Sequence, residues 1–161
     1  MSDRDPAETA REILGGNLYM TLGTADADGV PWVTPVYFTA SADASAFYWV
    51  SSPAARHSQN LAVRPQVSIV VFDSKVLVGS ASAVYMAGTA AQVDDADLDA
   101  ASTLYGSRGH GGRFFAPEEL TGDAVLRLYR ATIAEHYILV RGSDPVYGRG
   151  VDGRLRVELS A

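Results

Sequence analysis

Tyr48-Trp49-Val50-Ser51-Ser52-Pro53-Ala54-Ala55-Arg56-His57-Ser58-Gln59-Asn60-Leu61 changes its period in mid-run. Its first part, with Phe47, is aromatic and β-branched and reads as a strand. Two hydroxyls and a proline follow. The spacing after them predicts a helix from Pro53 to about Arg64, because proline fits a first helical turn and Ser52 can cap it. Pro65 stops that helix. A strand feeding a helix through two serines places hydroxyls, a guanidinium and free helix N–H groups in one spot. That chemistry suits a phosphate or carboxylate. The plainer alternative is a cap, with Ser52 closing the helix and Arg56 and His57 standing in solvent.

Upstream of this run the pattern is β. Leu18 to Thr24 alternates, and Asp26-Ala27-Asp28-Gly29 is a turn in which Gly29 can take positive φ. Trp32 to Ala40 is a second strand, and Ser41 to Ser45 turns the chain into the third. Three strands on short turns predict an antiparallel meander. Before them, Asp5-Pro6 opens a short helix with Ala7, Ala10, Ile13 and Leu14 on one face, ended by Gly15-Gly16.

Downstream, Val67 to Asp73 and Ala83 to Val93 are strands four and five. Acids at Asp94, Asp95 and Asp97 start a helix that runs to about Tyr105. Ser107 to Gly112 is a glycine-rich loop, and Pro117 to Leu120 is a helical turn. Leu126 to Val140 fits either a helix or a strand. The β-prone Tyr137-Ile138-Leu139-Val140 favours a strand from about Tyr129. Arg154 to Leu159 alternates as a last strand. The expected fold is mainly β: an antiparallel barrel of about six strands with a few short helices, one domain over 1–161.

Composition narrows the function. The chain of 161 residues is 47% hydrophobic and 20% charged, an ordinary globular balance. There are no cysteines, which excludes disulfides, thiol catalysis and thiolate metal sites. The formal charge of −6 argues against a nucleic-acid partner. No run is long and apolar enough for a membrane helix, and no secretory pattern opens the chain, so a cytoplasmic protein with no membrane partner is expected. Scarce lysine and abundant alanine are associated with a bacterial, GC-rich source. His57, His110 and His136 lack ligand-like spacing for a metal or haem, and His136 reads as a packed histidine. The four aspartates from Asp94 to Asp99 lack a calcium-loop pattern. Trp32, Trp49 and Tyr37 suit barrel-core packing at least as well as stacking on a planar ligand.

The order of motifs carries more than any one of them. Thr21-Leu22-Gly23-Thr24, the Asp28-Gly29 turn, Pro31-x-Val33-Thr34-Pro35-Val36, Phe47-Tyr48-Trp49, Ser51-Ser52-x-x-x-Arg56-His57-x-x-Asn60-Leu61 and Arg64-Pro65-x-Val67-Ser68-Ile69 follow one another. This set resembles the flavin-binding split-barrel family related to pyridoxamine 5'-phosphate oxidase, best over Leu18 to Phe72. The resemblance implies a homodimer with flavin mononucleotide (FMN) at the subunit interface. It places the phosphate at Ser51 or Ser52, Arg56 and His57, with Asn60 in the same motif, and the flavin ring along Thr34, Pro35 and Val36. It also implies hydride transfer to a small-molecule substrate, with the catalytic residues left open. Two positions depart from the family pattern. His57 stands where lysine is frequent, and Ser82 or Ala83 where glutamine is common, which brings in a deazaflavin as the alternative cofactor. Gly153-Arg154-Leu155-Arg156 lacks the Arg-x-His of vitamin-B6 oxidases, so the resemblance does not extend to that exact activity. The alternative function is a non-catalytic barrel that binds flavin or haem.

Overall fold

The computed structural model describes residues 5–109 and 112–159; His110 lies outside them. The order is α1 (Pro6–Gly16), β1 (Tyr19–Ala25), β2 (Pro31–Tyr37), β3 (Thr39–Ala40), β4 (Ala46–Ser51), α2 (Arg56–Val63), β5 (Gln66–Phe72), β6 (Ala83–Gln92), α3 (Leu98–Gly106), a 3-10 turn (Pro117–Glu119), β7 (Arg127–Val140) and β8 (Gly153–Val157). All strand pairs are antiparallel.

The sheet runs β2-β1-β5-β6-β7-β4-β3, with β8 beside β7. Its two ends, β2 and β3, are separated in sequence by Phe38 alone. A sheet whose outer strands are adjacent in the chain must curl until its edges meet, so connectivity bends it into a half-barrel. Phe38 is fully buried at the seam and packs on Phe47 at 5.4 Å between ring centroids.

The mainly β, antiparallel fold appears as expected, with eight strands in place of about six. One cause is the Trp32–Ala40 run, which breaks at Phe38 into β2 and β3 because its two halves serve opposite edges of the curled sheet. The expected three-strand meander is corrected: β2 pairs β1 at one end of the sheet, while β4 pairs β3 and β7 at the other. The ambiguous run is a strand of 14 residues. Along one side β7 pairs β6; along the other it pairs β4 with Arg127–Thr132 and β8 with His136–Val140. Near its middle the register with β6 slips at Ala87/Gly88. A Cβ on Gly88 would stand 2.1 Å from the Thr132 carbonyl oxygen, so only glycine fits that close crossing.

Asp5 caps α1, its Oδ1 accepting from the Ala7 N–H at 3.0 Å, and Pro6 takes the first turn. Gly29 sits at φ +84° in the β1–β2 turn. Two apolar layers result. Inside the curl, Met20, Leu22, Ile69, Val71, Val84, Trp49 and Ile138 pack together with Leu14 of α1. Outside β4 and β7, Tyr48 and Leu128 meet α3 through Leu98, Ala101 and Tyr105. β4 is thus covered on both faces, which accounts for its unbroken Phe47-Tyr48-Trp49-Val50 run. Trp49 packs in the core, stacked on Tyr129 at 5.7 Å. Trp32 does not; it lies on the open side of β2.

Candidate phosphate site at the β4–α2 junction

The helix after β4 starts at Arg56 rather than Pro53. Ser52 is engaged one step earlier. Its Oγ accepts from the Ala54 N–H at 3.1 Å, and its carbonyl accepts from the Ala55 N–H at 3.0 Å. That turn leaves Ala55 as the N-cap, and alanine has no side chain to offer. The first N–H groups of α2 therefore have no side-chain acceptor, and with the helix dipole they favour an anion.

The two basic residues here differ. His57 is buried, and its Nε2 shares a 2.8 Å hydrogen bond with Ser51 Oγ at the end of β4. Burial lowers its pKa below the ordinary 6.5, so at neutral pH it is an uncharged partner for Ser51. The alternative that leaves His57 in solvent does not hold, since the residue is buried against Ser51. Arg56 is exposed, and its guanidinium lies 4.5 Å over the Trp32 ring. Arg127, opposite Ser51 in the β4–β7 register, is turned to the backbone of the preceding loop. Its guanidinium donates to the carbonyls of Gly122, Ala124 and Leu126.

One stripe of α2 grips the β1–β2 hairpin. Arg56, Asn60 and Arg64 are spaced i, i+4 and i+8, which puts them on one helix face. Arg56 covers Trp32. Buried Asn60 donates from Nδ2 to Thr24 Oγ1 at 3.0 Å, and that hydroxyl donates on to the Trp32 carbonyl at 3.3 Å. Arg64 donates to the carbonyls of Asp26 and Ala27 at 3.0 and 3.1 Å.

β2 is an edge strand of the sheet, paired only with β1. Alternate backbone groups of Thr34, Pro35 and Val36 are thus left without a ladder partner. Thr34 and Val36 share the strand face of Trp32, while Pro35 faces the other way with Val33. The structure joins Ser51 and His57 at one junction, starts α2 there at Arg56, and sets β2 alongside through the Arg56–Trp32 contact. Asn60 is committed to Thr24. Sequence reasoning missed the pairing of Trp32 with Arg56, since nothing local links a β2 residue to one 24 positions later. It also missed Ser58, whose Oγ is buried in the first turn of α2 with no hydrogen-bond partner.

An antiparallel half-barrel with short helices at its edges defines the split-barrel class. The model of the pyridoxamine 5'-phosphate oxidase family matches residues 6–137, and the chain belongs to that family. No curated protein matches the sequence. Among solved structures, the chain is similar to a heme binding protein from Mycobacterium smegmatis, with TM-score 0.70 and 21% identity over 99% of this chain. It spans 61% of that protein's length. It is also similar to HutZ, the heme storage protein from Vibrio cholerae, with TM-score 0.69 and 24% identity over 88% of this chain and 98% of that one. An F420 reductase matches with TM-score 0.57 and 17% identity over 83% of this chain and 98% of that one. At these identities the likeness concerns the fold. Among the described residues, no helix is long and apolar enough to cross a membrane.

Proposed function

We propose that this chain binds a phosphate-bearing flavin, FMN or a deazaflavin, and serves as a homodimeric oxidoreductase that passes hydride to a small molecule. The observation that carries this reading is the uncapped N-terminus of α2, whose first residue is the exposed Arg56. Those groups fit a phosphate: a guanidinium grips two oxygens at once, and the free N–H groups meet the remainder. When bound, the cofactor would supply the hydride chemistry, and the protein supplies position and electrostatics. With the proton of His57 on Nε2, that nitrogen donates to Ser51 Oγ and leaves the Ser51 hydroxyl proton free for a phosphate oxygen. The unpaired edge of β2 offers backbone donors and acceptors to a planar polar ring.

Exposed Tyr19, Val30 and Val33 on the β1–β2 hairpin support a second copy covering this side of the barrel. The names of the two haem proteins support the other reading, a non-catalytic haem barrel. Against it, Nε2 of both described histidines is engaged, His57 with Ser51 and His136 with the Ala44 carbonyl at 2.8 Å.

Titration of the purified protein with FMN, a deazaflavin and haem separates these readings. FMN fluorescence should quench on binding, and Arg56→Ala should weaken binding about 10- to 100-fold, the loss of one or two charge-assisted hydrogen bonds. A Soret shift with haem and no flavin binding would favour the haem reading.

A further inference from the structure

Among the described residues Arg56 has no hydrogen-bond acceptor; a ring holds it. Trp32 is two-fifths exposed, lies outside both apolar layers, and has its indole under the guanidinium at 4.5 Å. A long arginine side chain without such a brace samples many rotamers, and ordering it on binding costs free energy. The brace is itself built from buried parts. Asn60 fixes Thr24, and Thr24 holds the Trp32 carbonyl. Arg64 pins the turn of the same hairpin two helical turns further on. The ring and the guanidinium are therefore carried by two elements locked together at three points.

We propose that Trp32 is a positioning residue for the cofactor phosphate: it preorganises Arg56, so that the β1–β2 hairpin sets the strength of phosphate recognition without touching the phosphate. This rests on the reading of Arg56 as the phosphate anchor. A guanidinium carbon 4.5 Å from the ring centroid is held by the ring's π face, which offers no hydrogen-bond acceptor oxygen, so its N–H donors stay available to an anion. The charge is oriented and not neutralised, whereas a carboxylate partner would compete with the phosphate.

The test compares FMN with riboflavin, which has the same ring system and lacks the phosphate. Their ratio of affinities isolates phosphate recognition from ring binding and from general loosening of the fold. It is measured for the wild type and for Arg56→Ala, Trp32→Ala and Trp32→Phe, each checked for an unchanged melting profile. In Trp32→Ala the FMN-to-riboflavin ratio should fall about 3- to 10-fold, the range that an exposed to partly desolvated cation–π contact supports. Riboflavin affinity should stay as in the wild type. Trp32→Phe, which keeps an aromatic face, should recover part of the ratio, and it stands in for the alanine variant should that one not fold. Equal losses for FMN and riboflavin would overturn the proposal, since Trp32 would then serve the ring or the fold. An unchanged ratio in both Trp32 variants, with Arg56→Ala reducing it, would overturn the positioning role and leave the anchor standing. An unchanged ratio in Arg56→Ala would overturn the phosphate reading itself.

Discussion

Two arginines in two corners of the barrel show how differently one side chain can be used. Arg108, after α3, lies half-buried where α1 ends and where β2 passes into β3. It donates to three backbone carbonyls, those of Leu14, Asn17 and Phe38, and its guanidinium covers the Phe38 ring at 4.1 Å. Burial lowers its pKa from the usual arginine range, yet the three carbonyls hold it in place. Arg56, at the β4–α2 junction, meets only a ring face. The first arginine closes carbonyls at a helix end and at the barrel seam. The second keeps its donors for something else. A charge committed to the protein's own backbone is structural, and a charge oriented but left with free donors is equipped to bind.

Substitution should separate the two corners. Arg108→Ala strips hydrogen bonds from three carbonyls at once and should cost about 3 kcal/mol of stability in urea unfolding. It should leave the FMN-to-riboflavin ratio of the folded protein unchanged. Arg56→Ala should do the reverse, moving the ratio while stability falls by no more than about 1 kcal/mol, the worth of its exposed ring contact. Equal stability losses in the two variants would erase the distinction.

Asn60→Ala lies between them. It removes the donor to a buried hydroxyl and should cost about 1–2 kcal/mol, read by the same unfolding curves. Through Trp32 it should also lower the FMN-to-riboflavin ratio by a smaller factor than Trp32→Ala.

The smallest effect concerns pH and His57. Its folded-state pKa lies below the ordinary 6.5, so the unfolded chain takes up a proton first as pH falls. The stability linked to neutral His57 is therefore complete above about pH 6.5 and is lost as pH falls through the lower folded value. Melting temperatures should drop between about pH 7.5 and about pH 5.5 by more in the wild type than in His57→Gln. A steeper drop in the variant would contradict a neutral, buried His57.

Much of this architecture is legible in the chain because local chemistry decides it. Asp5-Pro6 starts α1 wherever it docks, and Asp28-Gly29 turns the hairpin because Gly29 accepts positive φ. The break at Phe38 is not legible: Trp32 to Ala40 is β-prone throughout, and only closure of the sheet makes the two halves part. Likewise Ser52-Pro53 carries a helix-start signal, but Ser52 completes a tight turn first, and α2 begins at Arg56. At the site, the serines, Arg56 and His57 are marked by their place after a strand. The use of His57 depends on burial, and that of Trp32 on the docking of α2 against the β1–β2 hairpin, so neither shows in local spacing. Arg108 gave no signal at all in its glycine-rich surroundings, because its acceptors lie 70 or more positions away in the chain.

The phosphorus resonance of FMN tests the central claim most directly. With saturating wild-type protein it should shift and broaden relative to free FMN. In Arg56→Ala, at protein concentrations where the quenched flavin fluorescence shows the ring still bound, it should move back toward the free position. A phosphorus shift identical in the two proteins would mean that the phosphate does not meet Arg56, and that the uncapped start of α2 is not its site.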